Sequence, residues 1–169
     1  IVWELDAEGR ARTRTADFMR AHGIETYSEL VTRSQDDPEW FWDEVVRFLG
    51  IPFTTPYGTV LDTSDGEAWT RWFVEGTINL SEACVDRWAE VQPEGIAIIS
   101  EHEDGTSEQL TFADLLDRTA RLAGGLHDLG VGAGDVVAVY LPMSAEAVIS
   151  LLAVARVGAV FVPIFSGYG

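Results

Sequence analysis

Two short runs near the carboxyl end constrain this chain more than anything else in it. Residues 136–141 (VVAVYL) and 159–164 (AVFVPI) are apolar at every position. A strand with one wet face alternates apolar and polar residues, whereas a strand apolar throughout calls for cover on both faces. Ser144 stands between the runs where a helix cap belongs, and Gly158 closes the helix that it opens, with Arg156 expected inside it. Strand, helix, strand with fully apolar strands predicts a parallel pair joined by a right-handed crossover. The fold class expected is therefore α/β, with a parallel sheet that begins in this stretch.

The upstream residues divide by texture. Residues 1–78 hold five of the six tryptophans and read as helical. Short helices are expected around 15–22 and 26–34. The Asp37-Pro38-Glu39 start announces a longer one, with a cap, a proline in the first turn and an acid at the positive end of the dipole. Trp42, Val45, Val46 and Leu49 recur at helical spacing and are expected to form its buried face, and Gly50 then Pro52 stop it. Thr59 to Leu61 is a candidate strand. Residues 79–169 have a different rhythm. Asn79 or Ser81 caps a helix to about Val91, and Ile96 to Ser100 is a strand. Glu103-Asp104-Gly105-Thr106 turns it back on Glu108 to Leu110. Thr111 and Asp114 resemble a capping box opening a helix to about Asp128. Leu115, Leu122 and Leu126, widened by Leu116, Ala120 and Ala123, form its core face. Thr119 on that face is expected to bond back to a carbonyl one turn earlier.

Composition narrows the function. Mean hydropathy is +0.07 with 47% hydrophobic residues, which suits a folded core rather than a disordered tail. Net charge is −17, from 28 acids against 11 basic residues that are all arginine. A field of that sign repels phosphate backbones, so nucleic acid is not an expected partner. The same acid excess, with no lysine, points to a salty, halophile-like cytoplasm, where screening relieves the self-repulsion. The apolar stretch 147–165 is broken by Arg156, Gly158 and Pro163, which argues against a membrane span. No signal peptide precedes it, and the localisation expected is cytoplasmic. Ile1 in place of a methionine, and a last residue in a glycine-containing loop, read as a piece of a longer chain.

The candidate chemistries are few. Gly130, Gly132 and Gly134 stand between helix and strand, the reverse of the order that a dinucleotide fingerprint requires, so they read as a turn. His22, His102 and His127 lack ligands at helical spacing, and no metal site is expected. Cys84 falls within a predicted helix and is expected to be a small buried hydrophobe. Asn79-Leu80-Ser81 matches a glycosylation sequon and also a helix cap; the cap is the expected role. Phe165-Ser166-Gly167-Tyr168-Gly169 follows the carboxyl end of a parallel strand, where α/β sheets place ligand loops.

Taken together, these residues resemble the amino-terminal part of the acetyl-CoA synthetase-like enzymes of the adenylate-forming, AMP-binding superfamily. Trp72-Phe73, Gly76, Asn79, Cys84, Asp86 and Arg87 resemble that family's Trp-Phe-x-Gly-Gly-x-Leu-Asn and Cys-x-Asp-Arg-His. Leu110-Thr111-Phe112 with Leu115 resembles Leu-Thr-Tyr-x-Glu-Leu. Gly134-Asp135-Val136, then Pro142-Met143 and Glu146-Ala147, resemble Gly-Asp-x-Val and Pro-Met-x-x-Glu-Ala. Residues 152–160 resemble Leu-Ala-Cys-Ala-Arg-Ile-Gly-Ala-Val, and residues 165–169 resemble Phe-Gly-Gly-Phe-Ser. Glu75 and Ser166 replace family glycines, Trp88 replaces the histidine and Gly169 the serine. The resemblance covers residues 25–169.

The resemblance implies a helical amino-terminal extension, residues 1–78, followed by the beginning of the large domain, residues 79–169. It implies an acid–thiol ligase that activates acetate or another short carboxylic acid with ATP and Mg²⁺ and transfers the acyl group to CoA. The remainder of its own chain would be its structural partner. In such enzymes the ATP and Mg²⁺ sites and the catalytic lysine lie beyond the matched stretch, so no catalytic residue is assigned. Phe165, Ser166 and Gly167 carry over as part of the CoA channel. Two other readings stay open: a non-catalytic binding or scaffold relative, and an adenylating enzyme that loads a carrier protein. By itself the stretch is expected to lack adenylation activity and to associate through the open sheet at 159–164.

Overall fold

The computed structural model describes residues 4–165 and 167. The chain divides into two compact units, residues 1–51 with 55–76 and residues 52–54 with 77–169.

The first unit is helical with one hairpin. It runs α1 (Ala7–Ala11), α2 (Arg14–Ala21), α3 (Tyr27–Asp36) and α4 (Pro38–Leu49), then strands β1 (Thr59–Asp62) and β2 (Arg71–Val74). Each helix start has its cap. The side chains of Asp6, Thr13, Thr26 and Asp37 accept from backbone N–H groups three residues on. Gly50 ends α4 in the left-handed conformation, φ 59°, which glycine takes without penalty. The core forms around Phe18, Ile24 and Leu30, with Trp40, Phe41, Val45 and Phe48 packed on it. The buried face of α4 is therefore rotated from the expected one. Val45 and Val46 face inward, but Trp42 and Leu49 are 42% and 45% exposed. The spacing 41, 45, 48 meets the core because α2 and α3 offer aromatic and aliphatic surface only along that line.

Strands β1 and β2 pair antiparallel, Leu61 opposite Trp72. β2 has no signal of its own in the sequence. Within the Trp-Phe signature, Phe73 stands at φ 49 and Glu75 at φ 68 degrees. Both values fall in a region disfavoured for residues with a Cβ.

The second unit carries the sheet elements. Residues 82–86 form a π-turn that runs into α5 (Arg87–Val91). Then come β3 (Ile96–Glu101), β4 (Ser107–Thr111), α6 (Phe112–Asp128), β5 (Val136–Val139), α7 (Ala145–Arg156) and β6 (Val160–Pro163). β3 and β4 form the expected antiparallel hairpin, and β5 and β6 the expected parallel pair, with Val136 opposite Val160 and Val139 opposite Pro163. Thr111 and Asp114 close a reciprocal capping box on α6. Gly130 and Gly134 turn at φ 86° and 87°. The core gathers Val85, Leu110, Leu115, Ala145, Ile149 and Leu152.

Three expectations need correction here. On α6 the buried line is Leu115, Thr119 and Ala123, while Leu122 is 38% exposed and Ala120 only lines its flank. Packing of that whole line sets the position of Thr119, whose hydroxyl is fully buried without the expected bond to a carbonyl. Cys84 is exposed, since the π-turn rotates it outward and puts Val85 in the core instead. As for the sheet, α7 covers the face bearing Val139 and Phe161. Val136, Val160, Val162 and Ile164 are all exposed. They alternate onto the other face, because successive side chains of a strand point to opposite sides. None of the described helices is long and apolar enough to cross a membrane.

Candidate functional site

The carboxyl ends of β5 and β6 and the first turns of α7 bound an apolar cleft of about 450 Å³. Val139, Leu141, Ala147, Leu151, Phe161 and Phe165 are among its walls. The geometry follows from the parallel crossover, since both strands end on the side where α7 begins. Phe165 closes one end of the cleft and is 68% exposed. Its ring lies over Gly167, where an added Cβ would stand 2.5 Å from the ring's Cε1 and 2.7 Å from its Cζ. Any other residue at 167 would have to displace that ring. Ser166, Tyr168 and Gly169 lie outside the described residues. Among the described residues that wall the cleft there is no acid, base or nucleophile. These walls can hold and shape an uncharged arm, but they can move no proton.

Ser144 occupies the N-cap of α7 without a side-chain bond to its backbone. Its hydroxyl instead bonds the Glu146 carboxylate, and that bond holds Glu146 below the usual carboxylate range.

A polar cluster forms at the other end of α7. Arg156 is the last helical residue rather than an interior one. Its Nη1 donates to both Asp86 carboxylate oxygens, 2.8 and 2.7 Å, and to the Ser81 hydroxyl, 3.1 Å. The Asp86 bond outweighs the cost of burial and raises the Arg156 pKa further above its ordinary value. The Asn79 amide donates to the Arg156 carbonyl at 3.1 Å, and its oxygen accepts from the N–H groups of Ser81 and Glu82. Asn79 thus caps the turn below and the open carbonyl end of α7 above, which leaves its amide no room for a sugar. Ser81 is fully buried. A polar cleft of about 430 Å³ beside the cluster is lined by Asn79, Glu82, Asp86, Arg87, Glu90 and Arg156, with Pro52. The sequence singled out Asn79 and Asp86 as signature residues, but it held no sign that they meet Arg156. The one available signal was that both the signature and the 152–160 run match family motifs.

Among the described residues no three His, Cys, Asp or Glu side chains converge on one point. No step is assigned to Mg²⁺ in this stretch.

Comparison with known proteins places this architecture. The model of the AMP-binding enzymes matches residues 85–169, and that of the acetyl-coenzyme A synthetase N-terminus matches residues 27–84. The chain belongs to the AMP-binding enzyme family. It is 41% identical over 146 residues to an acetyl-coenzyme A synthetase of Thiobacillus denitrificans, a match that covers 86% of this chain and 22% of the relative. It is 43% identical over 144 residues to a propionate–CoA ligase of Escherichia coli, covering 85% of this chain and 22% of that one. An acetoacetyl-CoA synthetase structure from Streptomyces lividans superposes with a TM-score of 0.88 at 33% identity, covering 99% of this chain and 27% of that one. The chain thus spans about a fifth of the length of the curated relatives it matches.

Proposed function

We propose that this chain is the amino-terminal part of an AMP-forming acyl-CoA synthetase for a short carboxylic acid, acetate or propionate foremost. In that reaction a carboxylate oxygen attacks the α-phosphorus of ATP and pyrophosphate leaves. The CoA sulfur then attacks the acyl carbon and AMP leaves. Residues 1–78 serve as a helical extension and residues 79–169 begin the large domain. This stretch contributes scaffold and one wall of the thiol channel, at Phe165, Ser166 and Gly167. The observation that carries the reading is the apolar cleft at the carboxyl ends of a parallel strand pair, closed by a ring that rests on a glycine.

The test uses the complete enzyme. Pyrophosphate release is measured with acetate, propionate and acetoacetate, and thioester formation is measured with CoA. Release without CoA turnover would favour a carrier-loading enzyme, and neither activity would favour a scaffold. Gly167→Val should displace the Phe165 ring and slow the thioester step by about tenfold or more, with adenylation nearly unchanged. Equal loss in both half-reactions would remove Gly167 from the channel.

A salty cytoplasm is part of the same proposal, supported by the −17 charge. The melting temperature should rise from dilute buffer to about 2 M KCl. A flat response would discard it.

A further inference from the structure

The β5–β6 pair has two outer edges, and they are not equivalent. In a parallel ladder alternate residues turn both backbone groups toward the same neighbour. The Val160 N–H donates to the Asp135 carbonyl at 2.7 Å, and the Ile164 N–H to the Val139 carbonyl at 2.9 Å. The register sets Val136 opposite Val160 and Ala138 opposite Val162. Val160, Val162 and Ile164 therefore direct their N–H groups at β5, and positions 161 and 163 face away. Position 163 is proline and has no N–H to offer. On β5 the same alternation turns Val136 and Ala138 outward, each with an N–H and a carbonyl, and both residues are exposed. One edge is half closed by Pro163, and the other presents a complete run of donors and acceptors.

We infer that the sheet adds a strand at the outer edge of β5, and that in a solution of this chain the added strand is β5 of a second copy, running antiparallel. Val136 of each copy exchanges both backbone hydrogen bonds with Ala138 of the other, about a two-fold axis at Val137. Charge placement favours this occupant. β5 carries no charged residue, and the register puts Asp135 of each copy opposite Val139 of the other rather than opposite the second Asp135. The uncovered apolar face, with Val136 and Val160 on it, continues across the junction. A net charge of −17 on each copy opposes the approach. Pairing should therefore grow as salt shortens the range of repulsion.

The experiment is sedimentation equilibrium of the 169-residue chain in about 0.05 M and about 2 M KCl. The unaltered chain is expected to be a monomer in the first and a dimer in the second. Ala138→Pro removes an outward N–H, keeps an apolar side chain and spares the β5–β6 ladder; it should stay monomeric in both. Val162→Lys charges the open face of β6 without touching the β5 edge and should dimerise like the parent. Proline could still disturb β5, so amide exchange on the unaltered chain gives a second reading. The Val136 and Ala138 amides should slow about tenfold or more in high salt, while the Phe161 amide should not. A monomer in both salts, larger aggregates in place of a dimer, protection at Phe161, or a dimer lost in Val162→Lys but kept in Ala138→Pro would each overturn the inference.

Discussion

The Arg156 Nη1 contacts both carboxylate oxygens of Asp86, so a single nitrogen ties the last residue of α7 to a π-turn 70 residues earlier. The guanidinium fork is not what this bond requires. The contact uses one nitrogen as a point charge, with Ser81 as a third acceptor.

Arg156→Ala should lower unfolding free energy by about 2 kcal/mol, because Asp86 is left half-buried without its partner. Arg156→Lys should recover more than half of that loss, since an ammonium can supply the same point charge. Urea denaturation of both variants, closed into a double-mutant cycle with Asp86→Asn, measures the coupling. No recovery by lysine would mean that the other guanidinium nitrogens matter.

Glu75 stands at φ 68 degrees, at a place where the family pattern has glycine. Glu75→Gly should raise stability by about 1 kcal/mol by removing the clash of its Cβ in the left-handed region. Glu75→Val should lower it. A thermal melt in which glycine destabilises would show that the Glu75 side chain, whose Oε2 lies near Gly58, contributes more than its backbone costs.

Thr119 holds a buried hydroxyl with no partner in the core of the second unit. Thr119→Val keeps the shape and removes that desolvated group, and should stabilise by about 1 kcal/mol. Thr119→Ser, which keeps the hydroxyl and leaves a small void, should destabilise. The pair of urea midpoints decides the matter.

Asp114 accepts from the Thr111 backbone N–H, which holds its carboxyl below the ordinary aspartate range. A carboxyl with a depressed folded pKa stabilises fully above its unfolded value, about 3.9, and loses that contribution as pH falls through the folded value. Helix α6 should therefore keep its cap at neutral pH and lose it in acid. Asp114→Asn should flatten the acid limb of stability against pH, measured from pH about 6 to about 2. An unchanged limb would place the acid sensitivity elsewhere.

What the residues by themselves determined was local. The caps at Asp37 and Thr111, the turn at Glu103 to Thr106, and the parallel unit around α7 all rest on signals within a few positions of one another. So does the family resemblance, which lies in short ordered motifs. The tertiary structure decided the rest. Periodicity alone could not say that Phe41 and Phe48, rather than Trp42 and Leu49, face the core, because both lines are apolar and only the surface offered by α2 and α3 chooses between them. Cys84 lies outside because a π-turn, with no signal in composition, shifts the register by one residue. Arg156 finds Asp86 because the crossover folds the end of α7 back onto the segment that precedes the sheet. Local propensity acts over a few residues, whereas which faces meet depends on every element that competes to cover them.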